Sequence, residues 1–82
     1  MRLDKYLKVT RLIKRRTVAN EACDAGKIEV NGKIARASYD VKVDDIIKIT
    51  LGARTLTVKV VSVSEYATKD NAADNYIVID GQ

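Results

Sequence analysis

The sequence predicts an α+β fold: two amino-terminal helices packed on a small, mostly antiparallel β-sheet. Three observations predict it. Leu3, Tyr6, Leu7 and Thr10 repeat at the i, i+3, i+4, i+7 spacing of one helix face. From Lys27 the apolar period changes to two, with Ile28, Val30 and Ile34 set around Asn31-Gly32. A run of strand formers from Ile46 to Leu51 then meets Gly52-Ala53 and a second alternating segment.

The first helix is expected from about Leu3 to Val9, with Lys5 and Lys8 off its apolar face and in solvent. A turn or short continuation follows and carries Arg11 to Arg16. Thr17 is the expected N-cap of the second helix, its hydroxyl accepting from first-turn amides, with Glu21 within reach of the positive dipole end. Val18, Ala22, Cys23 and Ala25 give that helix a narrow apolar stripe whose small members permit close packing, and Gly26 supplies the left-handed residue that closes it. Asn31-Gly32 is a strong hairpin signal, because both turn positions need positive φ. Asp44-Asp45 marks a solvated corner before a buried strand from Ile46 to Leu51. Gly52, first in a two-residue turn, returns the chain from Thr55 to Val63, with Leu56, Val58 and Val60 on one face. Residues 65–75 are polar, Ala67, Ala72 and Ala73 hint at a helical turn, and Tyr76 to Ile79 reads as a last short strand. With no Phe or Trp, the core is expected to be aliphatic, and Tyr6, Tyr39, Tyr66 and Tyr76 are its only possible aromatics.

Eighty-two residues suffice for one small domain, taken as 1–82, and the charge within it is polarised. Residues 1–16 carry seven cations (Arg2, Lys5, Lys8, Arg11, Lys14, Arg15, Arg16) against Asp4 alone, whereas residues 65–82 carry one cation and four acids. Leucines run through the basic stretch, so it is folded rather than a solvated tail. A fixed array of cations is suited to a run of phosphates, which makes nucleic acid the leading partner.

Other classes fit poorly. Catalysis lacks a supply of tuned groups: there is no histidine, no Gly-rich phosphate loop, and the single Cys23 falls in an apolar stripe. The protein is therefore not expected to be an enzyme, nor to act on a small-molecule substrate. One cysteine and no histidine also make a metal or other cofactor improbable. No apolar run approaches the roughly 18 residues of a membrane span and no signal-peptide core follows the basic start, so a cytoplasmic protein without membrane contact is expected. DNA is disfavoured because the second helix offers Val18, Ala19, Asn20, Glu21, Ala22 and Cys23, too small and too acidic a face to read a major groove. A reader of folded RNA fits better. A protein-interaction module, using the tyrosines and the edge of the strand from Thr55, is the alternative from another class.

Four segments then carry a resemblance: RLDKYL at Arg2 to Leu7, RLIKRRT at Arg11 to Thr17, GKIEVNGK at Gly26 to Lys33, and VKVDDIIKI at Val41 to Ile49. In that order they resemble the RNA-binding domain named after ribosomal small-subunit protein S-four. The resemblance covers the whole chain, most strongly from Met1 to about Leu51, with a β-hairpin and short acidic tail beyond. Within that superfamily the chain is similar to the stand-alone RqcP-like proteins of bacterial ribosome-associated quality control. It is also similar in its front half to the ribosome-associated small heat-shock proteins. Those typically append a long basic extension, and its absence before Gln82 favours the first group.

The resemblance implies an αL RNA-binding unit, in which two helices and the following hairpin present basic side chains and one loop to structured RNA. It implies large-subunit ribosomal RNA and tRNA as ligands, and RqcH as the partner that delivers alanyl-tRNA for untemplated tailing of the nascent chain. A heat-shock-like role on free large subunits that carry peptidyl-tRNA is the alternative. Carried over by residue, Arg2, Arg11, Lys14, Arg15 and Arg16 occupy the RNA-facing positions, joined by Thr17 and Asn20, with Lys5 in the same basic array and Lys27 and Lys33 as second-rank contacts at the hairpin. Guanidinium forks pair bidentately with phosphate oxygens, which suits these assignments, and one arginine of the Arg15-Arg16 pair is free to bond Asp4 instead. Asp44 stands where relatives usually have Gly; Asp tolerates left-handed φ better than most, so the turn should survive.

Overall fold

A computed structural model describes residues 1–64 and 71–81 of the chain. Its helices are α1, Leu3–Val9, and α2, Arg16–Asp24. Leu3, Tyr6, Leu7 and Thr10 are all buried, so the apolar face read from the sequence is the packed one. At the end of α1 Thr10 donates both its amide (3.0 Å) and its hydroxyl (2.6 Å) to the Tyr6 carbonyl. Arg11 follows at φ 61°, its amide on the Lys8 carbonyl, in a left-handed position usually held by glycine.

Thr17 does not cap α2. The helix starts one residue before it, Arg15 is the extended cap residue, and no side chain caps the first turn. The buried stripe is also different from Val18, Ala22, Cys23 and Ala25: it is Ala19, Ala22 and Cys23, while Val18 is 42% exposed and Ala25 is exposed. Ala19, Ala22 and Cys23 form a continuous i, i+3, i+4 face, and Val18 lies about 100° round from it. The close α1–α2 contact selects the small residue over the more apolar one. The helix then closes as expected. Gly26 sits at φ +72°, its amide bonds to the Cys23 carbonyl, and the Lys27 amide reaches back to Ala22, the paired bonds of a Schellman closure.

The strands are β1 (Ile28–Val30), β2 (Lys33–Ile34), β3 (Ile46–Leu51), β4 (Arg54–Val60) and β5 (Tyr76–Gly81). They form one sheet in the order β2-β1-β3-β4-β5, every pairing antiparallel. Asn31 and Gly32 both take positive φ, as a two-residue hairpin requires, and Gly52 does so at the first position of the β3–β4 turn. β3 is buried on one face only: Ile47 and Ile49 point inward and Lys48 outward, while Leu51, on the inner side at the strand's end, is partly exposed beside Leu12 and Leu56. β4 stops at Val60 rather than Val63, because the amides of Val61 and Ser62 leave the ladder for the Asn75 carbonyl. The expected helical turn exists as a short 3-10 helix at Ala72–Asn75; Ala67 and Tyr66 lie outside the described residues.

Asp44-Asp45 is a turn but not a solvated corner. Asp44 is exposed at φ 76°, whereas Asp45 is 8% exposed and its carboxylate accepts from the Asn31 amide nitrogen (3.1 Å), the Tyr39 hydroxyl (2.9 Å) and the Lys42 amide (2.9 Å). Asn31 Oδ1 in turn accepts from the Ile46 amide at 3.0 Å. This clasp ties the β1–β2 turn, the loop over residues 35–41 and the entry to β3 together.

Ile28, Val30, Ile47, Ile49, Val58 and Val60 from the sheet close on Leu3, Tyr6 and Leu7 from α1. The core is aliphatic apart from Tyr6, which is fully buried and donates its hydroxyl to the Asn75 carbonyl at 2.7 Å; Tyr39 and Tyr76 pack at its margin. Leu7 is fully buried at the centre of this cluster. Leu7→Ala is expected to lower stability by about 2–5 kcal/mol in urea titrations, from lost transfer free energy plus the residual cavity. An unchanged urea midpoint would remove Leu7 from the core.

Candidate nucleic-acid interface

The start of the chain is pinned before any side chain contributes. The amides of Leu3 and Asp4, two of those a helix start leaves unpaired, donate to the carbonyls of Tyr39 (2.8 Å) and Ala37 (3.1 Å). Val41 donates to the Met1 carbonyl, and Arg2 and Asp40 form an isolated antiparallel bridge. α1 therefore enters against the loop over 35–41, which the Asp45 clasp holds from the other side.

Asp4 then points into the gap between the helices, only 2% exposed. Its carboxylate accepts from Arg2 Nε (3.2 Å) and Nη2 (3.3 Å), from the Lys5 amide (2.8 Å) and from Asn20 Nδ2 (3.3 Å), and Arg16 Nε lies 3.4 Å away. Burial alone would raise the pKa of this carboxyl. The bonds from Arg2, Asn20 and the Lys5 amide, with the charge of Arg16, outweigh it and hold Asp4 below the ordinary 3.8. A buried carboxylate with this partner set stays ionised.

Two guanidinium groups meet the one buried carboxylate, and Glu21 is the second acid of the same groove. Both arginine side chains remain 49% exposed, and each has guanidinium nitrogens not spent on Asp4. Arg2, Arg16, Thr17 and Asn20 line one groove around Asp4, with Glu21 at its edge. The structure thus brings together four of the ten candidate residues, from the start of α1 and the first turns of α2.

The other six lie elsewhere. Arg11 and Lys14 are exposed on the turn between the helices, and Arg15 is exposed as the extended cap of α2. Lys5 is half-buried on α1, and Lys27 is exposed between α2 and β1. Lys33 stands on β2 beside a second groove that also contains Arg36. Arg36 was missed by sequence reasoning. It sits in a loop with no periodicity, and its only signal was an unopposed cation three residues after Lys33. Arg36 also borders a groove with Arg2 and Asn20, which joins it to the helix site.

Cys23, on the inner face of α2, is buried; burial, aided by the charges of Asp4 and Asp24, pushes its thiol up to about 11. Among the described residues no group of His, Cys, Asp and Glu is placed to hold a metal ion, and no helix is long and apolar enough to cross a membrane.

The S4 domain family model matches residues 1–47. Over 79 residues the chain is 52% identical to the RQC P-site tRNA stabilizing factor of Streptococcus pneumoniae, covering 96% of this chain and 90% of that protein. It is 47% identical over 79 residues to the protein of the same name in Bacillus subtilis, covering 96% and 92%. Among solved structures, trimeric Heat Shock Protein 15 of Vibrio cholerae superposes with a TM-score of 0.89 at 28% identity, over 95% of this chain and 80% of that one.

Asp4→Asn is expected to destabilise the protein by about 1–3 kcal/mol at pH 7, the range for hydrogen bonds to charged groups. Because the folded carboxyl has a pKa below 3.8, the stability it contributes is fully present above that value and is lost as pH falls through the folded pKa. The gap between parent and variant in urea melts should therefore close in acid; a gap that persists unchanged below pH 3 would contradict an ionised Asp4. Cys23 should react with iodoacetamide at pH 8 far more slowly in the folded protein than in urea, as a buried thiol with raised pKa must. Equal rates would show that α2 opens.

Proposed function

Because the chain belongs to the S4 domain family, on the branch of the RQC P-site tRNA stabilizing factors, we propose that it is an RNA-binding factor of bacterial ribosome-associated quality control. It works in the cytoplasm as one unit over residues 1–82. It binds the obstructed large ribosomal subunit through ribosomal RNA and peptidyl-tRNA, and it supports RqcH-dependent alanine tailing of the nascent chain. Its role is to hold, not to catalyse.

The observation that carries this reading is the pair of arginines from different helices fixed on one buried carboxylate. Arg2 gives its Nε–Nη2 edge to Asp4 and Arg16 its Nε side, each keeps donors for phosphate oxygens, and a fork already oriented loses less freedom on binding. Ordering a free side chain costs about 0.5–1.5 kcal/mol, so two oriented in advance are a useful gain. Asn20 and Thr17 add neutral donors beside them, and the first turn of α2 has no side-chain cap to compete with an anion. Arg11, Lys14 and Arg15 on the inter-helix turn form an outer ring of cations, Lys5 contributes from α1, and Lys27 and Lys33 extend the positive surface towards the hairpin.

A second reading, a heat-shock-like factor that recycles free large subunits, is supported by the likeness to Vibrio cholerae Heat Shock Protein 15. The two separate on what is recovered after crosslinking in cells: tRNA and RqcH with large-subunit RNA for the first, free large subunits without RqcH for the second.

Arg16→Ala should leave the circular dichroism spectrum intact and weaken co-sedimentation with large subunits by about 1–3 kcal/mol. With roughly four to six phosphates neutralised, affinity should fall by about 10² to 10³ between 50 and 200 mM salt. Undiminished binding of Arg16→Ala, or a flat salt response, would argue against this interface.

A further inference from the structure

Three shallow grooves run into one another across the molecule. The Asp4 groove shares Arg2 and Asn20 with a middle groove, and the middle groove shares Ile34, Arg36 and Ser38 with a third, which lies between the β1–β2 hairpin and the loop over 35–39. Arg16, Arg2, Arg36 and Lys33 follow this trough from one end to the other.

The third groove differs from the rest in chemistry. The first is lined by Asp4 and Glu21 and the second by Asp24, but no carboxylate lines the third. Among the described residues, Lys33 and Arg36 form no ion pair, whereas Arg2 and Arg16 share Asp4. The same groove is lined by Ile34, 69% exposed, and by the half-buried Tyr39, whose hydroxyl is anchored on Asp45 at 2.9 Å. An exposed isoleucine in a basic trough gains nothing from phosphates. It gains from an apolar face, and an unpaired base is the part of an RNA that offers one beside a phosphate.

The groove is large enough for such a ligand, at about 590 Å³, within the roughly 300–1,000 Å³ of small-ligand sites. Its polar groups are mostly committed. The Asn31 side chain is bonded to Asp45 and to the Ile46 amide, and the Tyr39 hydroxyl to Asp45, which leaves Ser38 as the principal side chain able to address a base edge. Contact here would be through stacking and charge, with little preference among bases.

On the reading of this chain as an RNA-binding factor, we propose that the groove between the hairpin and the 35–39 loop takes one unpaired nucleotide of the bound RNA. The base lies against Ile34 and Tyr39, and the flanking phosphates lie on Lys33 and Arg36.

The test uses the full chain and purified large ribosomal subunits carrying peptidyl-tRNA. Ile34→Ser, at an exposed position, and Arg36→Ala should each weaken co-sedimentation on the order of tenfold, the lower part of the range for removing one stacked base. Ultraviolet crosslinking of the parent complex, read by mass spectrometry, should give an adduct on the peptide containing Tyr39, at a nucleotide unpaired in the RNA. If the parent binds and Arg16→Ala is impaired, but Ile34→Ser and Arg36→Ala bind like the parent, the groove proposal fails and the RNA-binding reading stands. An adduct to a base-paired nucleotide, or contact with a ribosomal protein instead of RNA, would also overturn it. A parent that does not bind at all removes both.

Discussion

The proposed RNA face depends on one buried carboxylate. Asp4 takes donors from the residue two before it, from the next amide and from two side chains on the facing helix, and so converts two separate amphipathic helices into one oriented surface. Exposed ion pairs contribute little because each side chain must be ordered to form them. Here the acceptor is already desolvated and rigid, and the ordering serves the ligand as well as the fold. One buried anion orients two cations, and each keeps donors that Asp4 does not use.

The sheet reaches that face indirectly. Asp45 holds Tyr39 and the turn before β3, and the carbonyls of Tyr39 and of Ala37 just before it start α1. Two acids thus act in series from opposite ends of one loop, Asp45 fixing it to the sheet and Asp4 fixing the helices beneath it. In a chain with four more cations than acids, the two acids buried among the described residues are both spent on geometry.

Much of this was legible in the sequence because it is repeated. The α1 stripe, the Asn-Gly hairpin, the glycine closing α2 and the strand β3 each rest on several residues with one period, and each stands. What was not legible rests on single residues. Thr17 looked like a cap because threonine often is one, but the helix begins at Arg16 and the position passes into the first turn. Val18 looked like core by hydropathy, and the tight helix contact preferred Ala19. Asp45 read as solvent because adjacent acids in a turn generally are; its three donors come from residues 3, 6 and 14 positions away, and no local pattern reports them. Arg36 escaped for the same reason: its neighbours in the trough are brought to it by the fold alone. Of the candidate site, Arg2, Arg16, Thr17 and Asn20 were chosen together and lie together, while Arg11, Lys14 and Arg15 are sequence neighbours that line a turn outside that groove.

The carbonyl of Asn75 gathers three donors, the Tyr6 hydroxyl and the amides of Val61 and Ser62. Tyr6 is two residues from Asp4, yet its acceptor is 69 residues further along. α1 is thereby tied to the backbone just before β5, so a disturbance at that edge of the sheet is transmitted to the helix that carries Asp4.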